Sequence, residues 1–111
     1  PPIFGTGKQS RDFTYIDNVV EANILAAVTP KIKHEVFNVA NGKDNTVLQL
    51  VDCLNKIIGK NIKPTFLPVR PGDVFRTCAD ISKISKKLGY KPKVSFEDGL
   101  KLTVAWFKTK S

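Results

Sequence analysis

The sequence alternates short extended patterns with amphipathic helical patterns. Apolar residues at helical spacing mark one helix that begins at Asn45 or Thr46 and ends before Gly59, and another that Asp17 caps and Pro30 ends. The predicted order is strand, helix, strand, helix, strand, helix, helix, over 11–16, 17–28, 35–40, 45–58, 62–69, 80–88 and 95–107. Strands that alternate with helices are typical of an α/β fold.

Three short strands make a poor sheet on their own. Pro64 and Pro68 interrupt the third strand and place it at a sheet edge. The run at 35–40, EVFNVA, is apolar enough for a buried strand with strand neighbours. We therefore expect part of this surface to be covered by residues that lie upstream in a longer protein. The absence of methionine, even at position 1, fits a piece of such a chain.

Length and composition limit the class of protein. A chain of 111 residues, 41% apolar and 25% charged, is expected to form one domain or part of one. No apolar run approaches the roughly 20 residues of a membrane span, so we expect a cytoplasmic protein without membrane contact. Cys53 and Cys78 lack metal-ligand spacing and are expected to be reduced structural thiols, and no metal site is predicted.

The net charge of +8 raises the question of a nucleic-acid partner. The lysines are spread along the whole chain, with one loose cluster over 83–93, and no aromatic residues alternate with them. We expect a solvated basic surface and no nucleic-acid partner. A free-standing basic binding module is the alternative from a different class.

The Gly5-Thr6-Gly7-Lys8 stretch is interpreted as a turn. A P-loop would need a glycine in place of Pro2 and a serine or threonine in place of Gln9. A dinucleotide-binding turn would need a glycine in place of Ser10.

Arginine is rare in this sequence, and its positions are informative. Only three of the 18 basic residues are arginines, and a planar guanidinium binds diphosphates and carboxylates through paired hydrogen bonds that lysine cannot make. Arg11 and Arg70 each lie where a strand meets a loop. The alternative for each is a structural ion pair, of Arg11 with Asp12 or Asp17 and of Arg70 with Asp73.

A tight turn joins a cation to a carboxylate over 70–73, RPGD. The Pro-Gly pair inside it is typical of a turn and fixes the spacing of the two charged residues. An arginine for phosphate and a carboxylate for sugar hydroxyls suit a nucleotide sugar.

Three segments carry a family resemblance. They are PPIFGTGKQSRDFTYIDNVVEANILAA, then VFNVANG, then RPGDVFRTCADISKISKKLGYKPKVSFEDGLKLTVAWF, and together they extend over 1–108. In this order they resemble the C-terminal portion of the extended short-chain dehydrogenase/reductase family, and within it the NAD-dependent nucleotide-sugar epimerases and dehydratases, nearest UDP-glucose 4-epimerase. The resemblance implies that 1–111 is the α/β substrate-binding portion of a Rossmann-type enzyme, with few short strands and about four helices.

The resemblance also implies roles for individual residues. Arg11 and Arg70 match two arginines that bind the diphosphate, and Asp73 matches the residue that accepts hydrogen bonds from the ribose hydroxyls. Pro2 and Phe4 match the segment that lies along the base.

Two further positions bear on the substrate. Asn38 matches an asparagine that reaches the substrate, and the alternative for it is a side chain that satisfies neighbouring backbone groups. Phe13 stands where some epimerases carry tyrosine, so the resemblance does not single out one epimerase subtype.

The family's catalytic residues are expected to lie outside this chain. The family's reaction resembles hydride transfer to a bound nicotinamide, with a tyrosine as base and a lysine four residues on. Tyr15 and Tyr90 are followed at that spacing by Val19 and Val94. The resemblance thus implies that the intact enzyme binds NAD and dimerises through an upstream domain, while this chain binds the diphosphate of a UDP-sugar. A nucleotide-sugar dehydratase or decarboxylase is the alternative.

Overall fold

Residues 1–110 fold into four helices and four short strands. In the computed structural model, which describes residues 1–110, the helices are α1 (Ile16–Val28), α2 (Val47–Ile58), α3 (Ser82–Leu88) and α4 (Phe96–Lys108). The strands are β1 (Pro2–Phe4), β2 (Ser10–Arg11), β3 (Asn45–Thr46) and β4 (Thr65–Leu67). All four predicted helices are confirmed, and their ends agree with the prediction to within one or two residues.

Local side-chain chemistry sets the ends of α2 and α4. The Thr46 hydroxyl accepts a hydrogen bond from the Gln49 N–H at 3.1 Å, and the Gln49 side chain accepts one from the Thr46 N–H at 2.8 Å. Gly59 ends α2 with a φ of 69°, a left-handed conformation that favours glycine. Ser95 caps α4 by accepting from the Asp98 N–H at 3.1 Å.

The strands form two small sheets. β1 pairs with β4 in parallel, with Ile3 opposite Phe66. β2 pairs with β3 in antiparallel orientation, with Ser10 opposite Thr46. Ser10 also forms a parallel bridge with Arg76. The short β2 therefore has a neighbouring backbone segment on each side.

Two predicted strands are wrong. The strand predicted over 11–16 ends at Arg11. Beyond it the Asp12 carboxylate accepts hydrogen bonds from the N–H groups of Asn41 and Gly42 at 3.0 and 2.9 Å, and the Phe13 carbonyl accepts one from the Asn41 side chain instead of from a neighbouring strand. The strand predicted over 35–40 does not form, because none of the strands within residues 1–110 pairs with it.

Helix α1 differs from the prediction at its start, and its larger apolar side chains are not the ones it buries. It begins after Tyr15, so Asp17 lies in the first turn and does not cap the helix. A carboxylate there still interacts favourably with the helix dipole. The buried residues of α1 are Asn18 and Ala22. A stripe of larger apolar side chains is between 48% and 70% exposed: Ile16, Val20, Ile24 and Val28.

The buried core is small and joins α1 to α3. Ala22 packs with Ile84, Leu88 and Tyr90, and the Tyr90 hydroxyl donates to the Ala40 carbonyl at 2.9 Å. Burial raises the pKa of the Tyr90 phenol. Partly buried apolar side chains surround this cluster: Leu25, Ile32, Phe37, Val39 and Ile81.

The overall shape is flat and open. The radius of gyration is 16.5 Å, with extents of 50 × 35 × 19 Å, whereas a compact chain of this length has a radius of gyration of about 13 Å. Many large apolar side chains consequently lie at the surface. Among residues 1–110, no helix combines the length and the apolar character that crossing a bilayer requires.

Candidate functional site

Strand β2 lies between two backbone segments, and this arrangement positions Arg11. On one side β2 pairs with β3. On the other side the Ser10 N–H donates to the Phe75 carbonyl at 2.8 Å, and the Thr77 N–H donates to the Ser10 carbonyl at 3.1 Å. Residues 75–77, which follow the RPGD turn, therefore lie directly beside the strand that carries Arg11.

Backbone carbonyls hold the Arg11 guanidinium. Its Nη1 donates to the Ser10 carbonyl at 2.6 Å and to the Phe75 carbonyl at 3.3 Å. In the part of the chain that the structure describes, Arg11 makes no ion pair with Asp12 or Asp17. Within residues 1–110, the Nε and Nη2 groups of Arg11 donate to no acceptor, so they are available to an anion.

The turn over 70–73 forms as the sequence predicts. The Asp73 N–H donates to the Arg70 carbonyl at 3.2 Å, and Gly72 has a φ of 85°. The central carbon of the Arg70 guanidinium lies 3.6 Å from the centre of the Phe4 ring, a cation–π contact. Within residues 1–110, no ion pair joins Arg70 to Asp73.

A cleft of about 220 Å³ brings three of the predicted site residues together. Phe4, Arg11 and Asp73 all line it, and Arg70 adjoins it through its contact with Phe4. The remaining lining comes from Gly5, Thr6, Gln9, Val69, Val74 and Phe75. The cleft thus combines a guanidinium, a carboxylate and apolar walls, which suits a ligand with an anionic and an apolar part.

Besides Arg70, which only adjoins the cleft, two predicted site residues do not line it. Pro2 lies at the start of β1 and is exposed. Asn38 is exposed within the 35–40 segment. Its side chain makes no hydrogen bond with any residue in 1–110, so the alternative in which this amide satisfies neighbouring backbone groups is not seen.

Sequence reasoning missed a charged cluster beside the cleft. Arg76 donates to the Asp44 carboxylate from Nε at 2.8 Å and from Nη2 at 3.0 Å, and the Ser10 hydroxyl donates to the same carboxylate at 2.5 Å. These bonds, those from Arg76 foremost, hold the pKa of the Asp44 carboxyl well below its usual range. The hydrogen bonds between Arg76 and Asp44 also raise the pKa of Arg76. Asp44 belongs to the polar NGKDN stretch, whose composition indicates only a turn.

A larger groove, of about 460 Å³, lies between the start of α1 and α4. Phe13, Phe96 and Trp106 are among its lining residues, and the lining includes no arginine, lysine, aspartate or glutamate. An anionic ligand would therefore be desolvated there without a charge partner. Within residues 1–110, no group of three or more histidine, cysteine, aspartate or glutamate side chains is placed to hold a metal ion.

Comparison with known proteins identifies the family. A family model described as GDP-mannose 4,6 dehydratase matches residues 1–103. UDP-glucuronate 4-epimerase from Thermodesulfobacterium geofontis is 43% identical over 107 residues, which cover 96% of this chain and 32% of that protein. The dTDP-glucose 4,6-dehydratase from Shigella flexneri is 36% identical over 114 residues, which cover 96% of this chain and 31% of that protein.

Solved structures agree with this assignment. UDP-glucose 4-epimerase from Thermotoga maritima, solved with UDP-glucose, is 46% identical with a TM-score of 0.91 and matches 98% of this chain and 35% of its own. UDP-glucuronic acid 4-epimerase from Bacillus cereus, solved with UDP-glucuronic acid and NAD, is 40% identical with a TM-score of 0.93 and matches 99% of this chain and 35% of its own. This chain spans about a third of the length of these relatives.

These matches confirm the predicted fold class, an α/β chain of a Rossmann-type enzyme with few short strands and four helices. They extend over nearly the whole chain, and they include both epimerases and a dehydratase. The chain belongs to the nucleotide-sugar epimerases and dehydratases of the extended short-chain dehydrogenase/reductase family and corresponds to their C-terminal portion.

Proposed function

We propose that this chain binds the nucleoside diphosphate part of a UDP-sugar in the cleft lined by Phe4, Arg11 and Asp73. The observation that carries the proposal is the Arg11 guanidinium, which lines the cleft while only its Nη1 is engaged within residues 1–110, and by carbonyls alone. Such a guanidinium offers an uncompensated charge and free donors to a pyrophosphate. The relatives solved with UDP-glucose and UDP-glucuronic acid support UDP as the nucleotide.

Each site residue has a role in this proposal. Arg11 and Arg70 bind the diphosphate, and the stacking of Arg70 on Phe4 supports a second cation at the rim of the cleft. Asp73 accepts hydrogen bonds from the ribose hydroxyls. Phe4 lies along the base, where the exposed apolar walls of the cleft favour a flat ring, and Pro2 extends the same segment outside the cleft lining.

The residues of this chain do not fit NAD. The turn at Gly5–Gly7 leads into β2, whereas a dinucleotide-binding turn leads into a helix. A Cβ at Gly7 would lie 2.7 Å from Leu48 Cγ, so a side chain already fills the space that a pyrophosphate would need. We therefore propose that the part of the intact enzyme outside this chain binds NAD and supplies the catalytic tyrosine and lysine.

The activity proposed for the intact protein is C4 epimerisation of a UDP-sugar through transient oxidation and reduction, in a cytoplasmic homodimer that joins through the upstream domain. Binding of the non-reacting diphosphate by this chain positions the sugar, which Asn38 reaches. Alone the chain is expected to be inactive, because the Tyr90 hydroxyl is buried against the Ala40 carbonyl and neither Tyr15 nor Tyr90 has a lysine four residues on. Free thiols at Cys53 and Cys78 support a reducing compartment.

A nucleotide-sugar dehydratase is the second candidate. The similarity to dTDP-glucose 4,6-dehydratase and the family model described as GDP-mannose 4,6 dehydratase favour it. The affinities of the chain for UDP, dTDP and GDP separate the two candidates. A preference for UDP supports the epimerase, and a preference for dTDP or GDP supports the dehydratase.

Titration of the isotope-labelled chain with UDP, followed by NMR, tests the proposal. We expect amide signals around Arg11, Arg70 and Asp73 to shift. Arg11→Gln should weaken UDP binding by about tenfold or more, because charge-assisted hydrogen bonds to the diphosphate are lost. Lys33→Gln is the matched control, because it removes the same charge from an exposed position outside the cleft lining, and it should leave the affinity unchanged.

Two outcomes would count against the proposal. If those amides stay unmoved, or if the two glutamine variants bind UDP equally well, the cleft is not the site. If the chain ignores UDP but binds duplex DNA with an affinity that falls steeply as salt rises, the basic binding module replaces the proposal.

A further inference from the structure

The Ser10–Asp44–Arg76 cluster joins three segments that are distant in sequence. Ser10 belongs to β2, Asp44 immediately precedes β3, and Arg76 follows the RPGD turn. In space Ser10 pairs with Thr46 on one side and with Arg76 on the other. The ion pair between Asp44 and Arg76 therefore reaches across β2, the strand that carries Arg11.

The same cluster sets the position of the Arg11 guanidinium. The two carbonyls that hold its Nη1 belong to Ser10 and Phe75. Ser10 is a member of the cluster, and Phe75 is the residue before Arg76. A movement of 75–77 away from β2 would lengthen the contact to Phe75, which at 3.3 Å is already the longer of the two. The contact of the guanidinium with Phe75 is thus kept only while these segments lie close together, whereas its contact with Ser10 is local.

The cluster also ties the RPGD turn to β2, because Arg76 follows that turn closely in the chain. Ser10 is 6% exposed, whereas the Arg76 side chain is 65% exposed. An ion pair as open as this contributes little to overall stability. Two donors from Arg76 and one from Ser10 on a single carboxylate nevertheless fix three segments in one arrangement. The cluster therefore affects the relative positions of these three segments more than the stability of the fold.

We propose that Asp44 is a positioning residue of the diphosphate site, because it sets the spacing between Arg11 and the turn that carries Arg70. This inference rests on the proposed function. Without the Asp44 charge, Arg76 loses its side-chain link to the segment before β3. The two backbone hydrogen bonds between Ser10 and 75–77 remain, but they alone hold the spacing between the two site guanidinium groups less tightly. A diphosphate that needs both groups then binds more weakly, while a monophosphate that needs one is little affected.

The dissociation constants of UDP and UMP, measured by titration of the chain and its variants, test this inference. Asp44→Asn removes the charge at constant size. It should raise the dissociation constant of UDP about fivefold, while that of UMP changes less than about twofold. Arg76→Gln should have the same effect, and the double variant should be no worse than either single one, because both remove one shared contact. Glu35→Gln is the control, because it removes a carboxylate paired with Lys87 outside the cleft lining and should change neither constant.

The outcomes separate the inference from the proposed function. An unchanged UDP affinity in D44N overturns this inference but not the proposed function. An equal loss of affinity for UDP and UMP has the same consequence, because it indicates that the whole site has loosened. A wild-type chain that does not bind UDP overturns both. If D44N does not fold, Arg76→Lys takes its place: it keeps the charge but not the two-donor fork, and an unchanged ratio of UDP to UMP affinity in that variant overturns the inference.

Discussion

Replacement of Asn18 by alanine should destabilise the chain by about 3 kcal/mol. Asn18 is 2% exposed. Its amide nitrogen donates to Asn41 Oδ1 at 3.0 Å and to the Val94 carbonyl at 2.9 Å, and its Oδ1 accepts from the N–H groups of Lys93 and Val94, each at 3.1 Å. This one side chain therefore links α1 to the loop before α4 and to the loop around residue 41.

The magnitude follows from these four hydrogen bonds. Each contributes about 1 kcal/mol net, and alanine leaves the partner groups without a replacement. Alanine has a higher helix propensity than asparagine, which offsets roughly 0.6 kcal/mol of the loss. Loss of the Asn18 side chain should also affect the candidate site. Its partner Asn41 donates to the carbonyl of Phe13 at 2.9 Å, and Phe13 lies two residues after Arg11 in the chain.

Urea unfolding, followed by far-UV circular dichroism, measures the effect. Asn23→Ala is the matched control in the same helix, because the Asn23 amide is exposed and donates only within α1, to the Val19 carbonyl. We expect this control to change the free energy of unfolding by less than about 0.5 kcal/mol. A difference between the two variants below about 1 kcal/mol would refute the reasoning that the Asn18 network stabilises the fold.

Three further predictions concern single groups. Burial raises the pKa of the Tyr90 phenol, so its contribution to the free energy of unfolding is complete below about pH 10 and falls above it. Tyr90→Phe should remove this alkaline fall, as measured by urea titrations at several pH values. The pKa of Asp44 is lowered, so its small contribution to the free energy of unfolding is present above about pH 4 and is lost as the pH falls further. Asp44→Asn should remove this small part of the acid-induced fall in the same titrations. Gly7→Ala should lower the melting temperature more than Gly72→Ala does, because both positions have positive φ but only at Gly7 would the added Cβ lie 2.7 Å from Leu48.

The helices could be predicted because the signals that begin and end them lie within a few residues of each other. Thr46 and Gln49 form a capping box at one end of α2, and Gly59 supplies the left-handed residue at the other. Strand pairing has no such local signal. β1, which the sequence did not predict, exists because its residues pair with β4, more than half the chain away.

The 35–40 segment has the alternation of half-buried and exposed side chains that a strand shows, but it does not form a strand. Phe37 and Val39 pack on the core, while Val36 is 83% exposed and Asn38 is also exposed. This alternation is the one that a strand would show. The backbone has no strand partner within residues 1–110, so the pattern alone does not make a strand.

Some residues at and around the candidate site could be predicted from the sequence, and others could not. Arg11, Arg70 and Asp73 could be singled out because their residue types carry the chemistry of phosphate and hydroxyl binding. Asp44 and Asn18 could not, because each acts through partners that are distant in sequence, Arg76 in one case and Val94 in the other. Polar residues in a turn or on a helix have no sequence signature for such long-range hydrogen bonds.

The exposed stripe of α1 and the open shape of the chain have one physical origin. Ile16, Val20, Ile24 and Val28 recur every four residues and stay largely exposed, while the small Ala22 and the polar Asn18 occupy the buried face. The apolar residues are thus sufficient for a core but lie on surfaces that do not meet. The relatives extend well beyond the matched region, and in the proposed intact enzyme that additional chain covers this stripe. Hydrogen bonds therefore set the geometry of the cleft here, while in the proposed intact enzyme the additional chain supplies further apolar stabilisation.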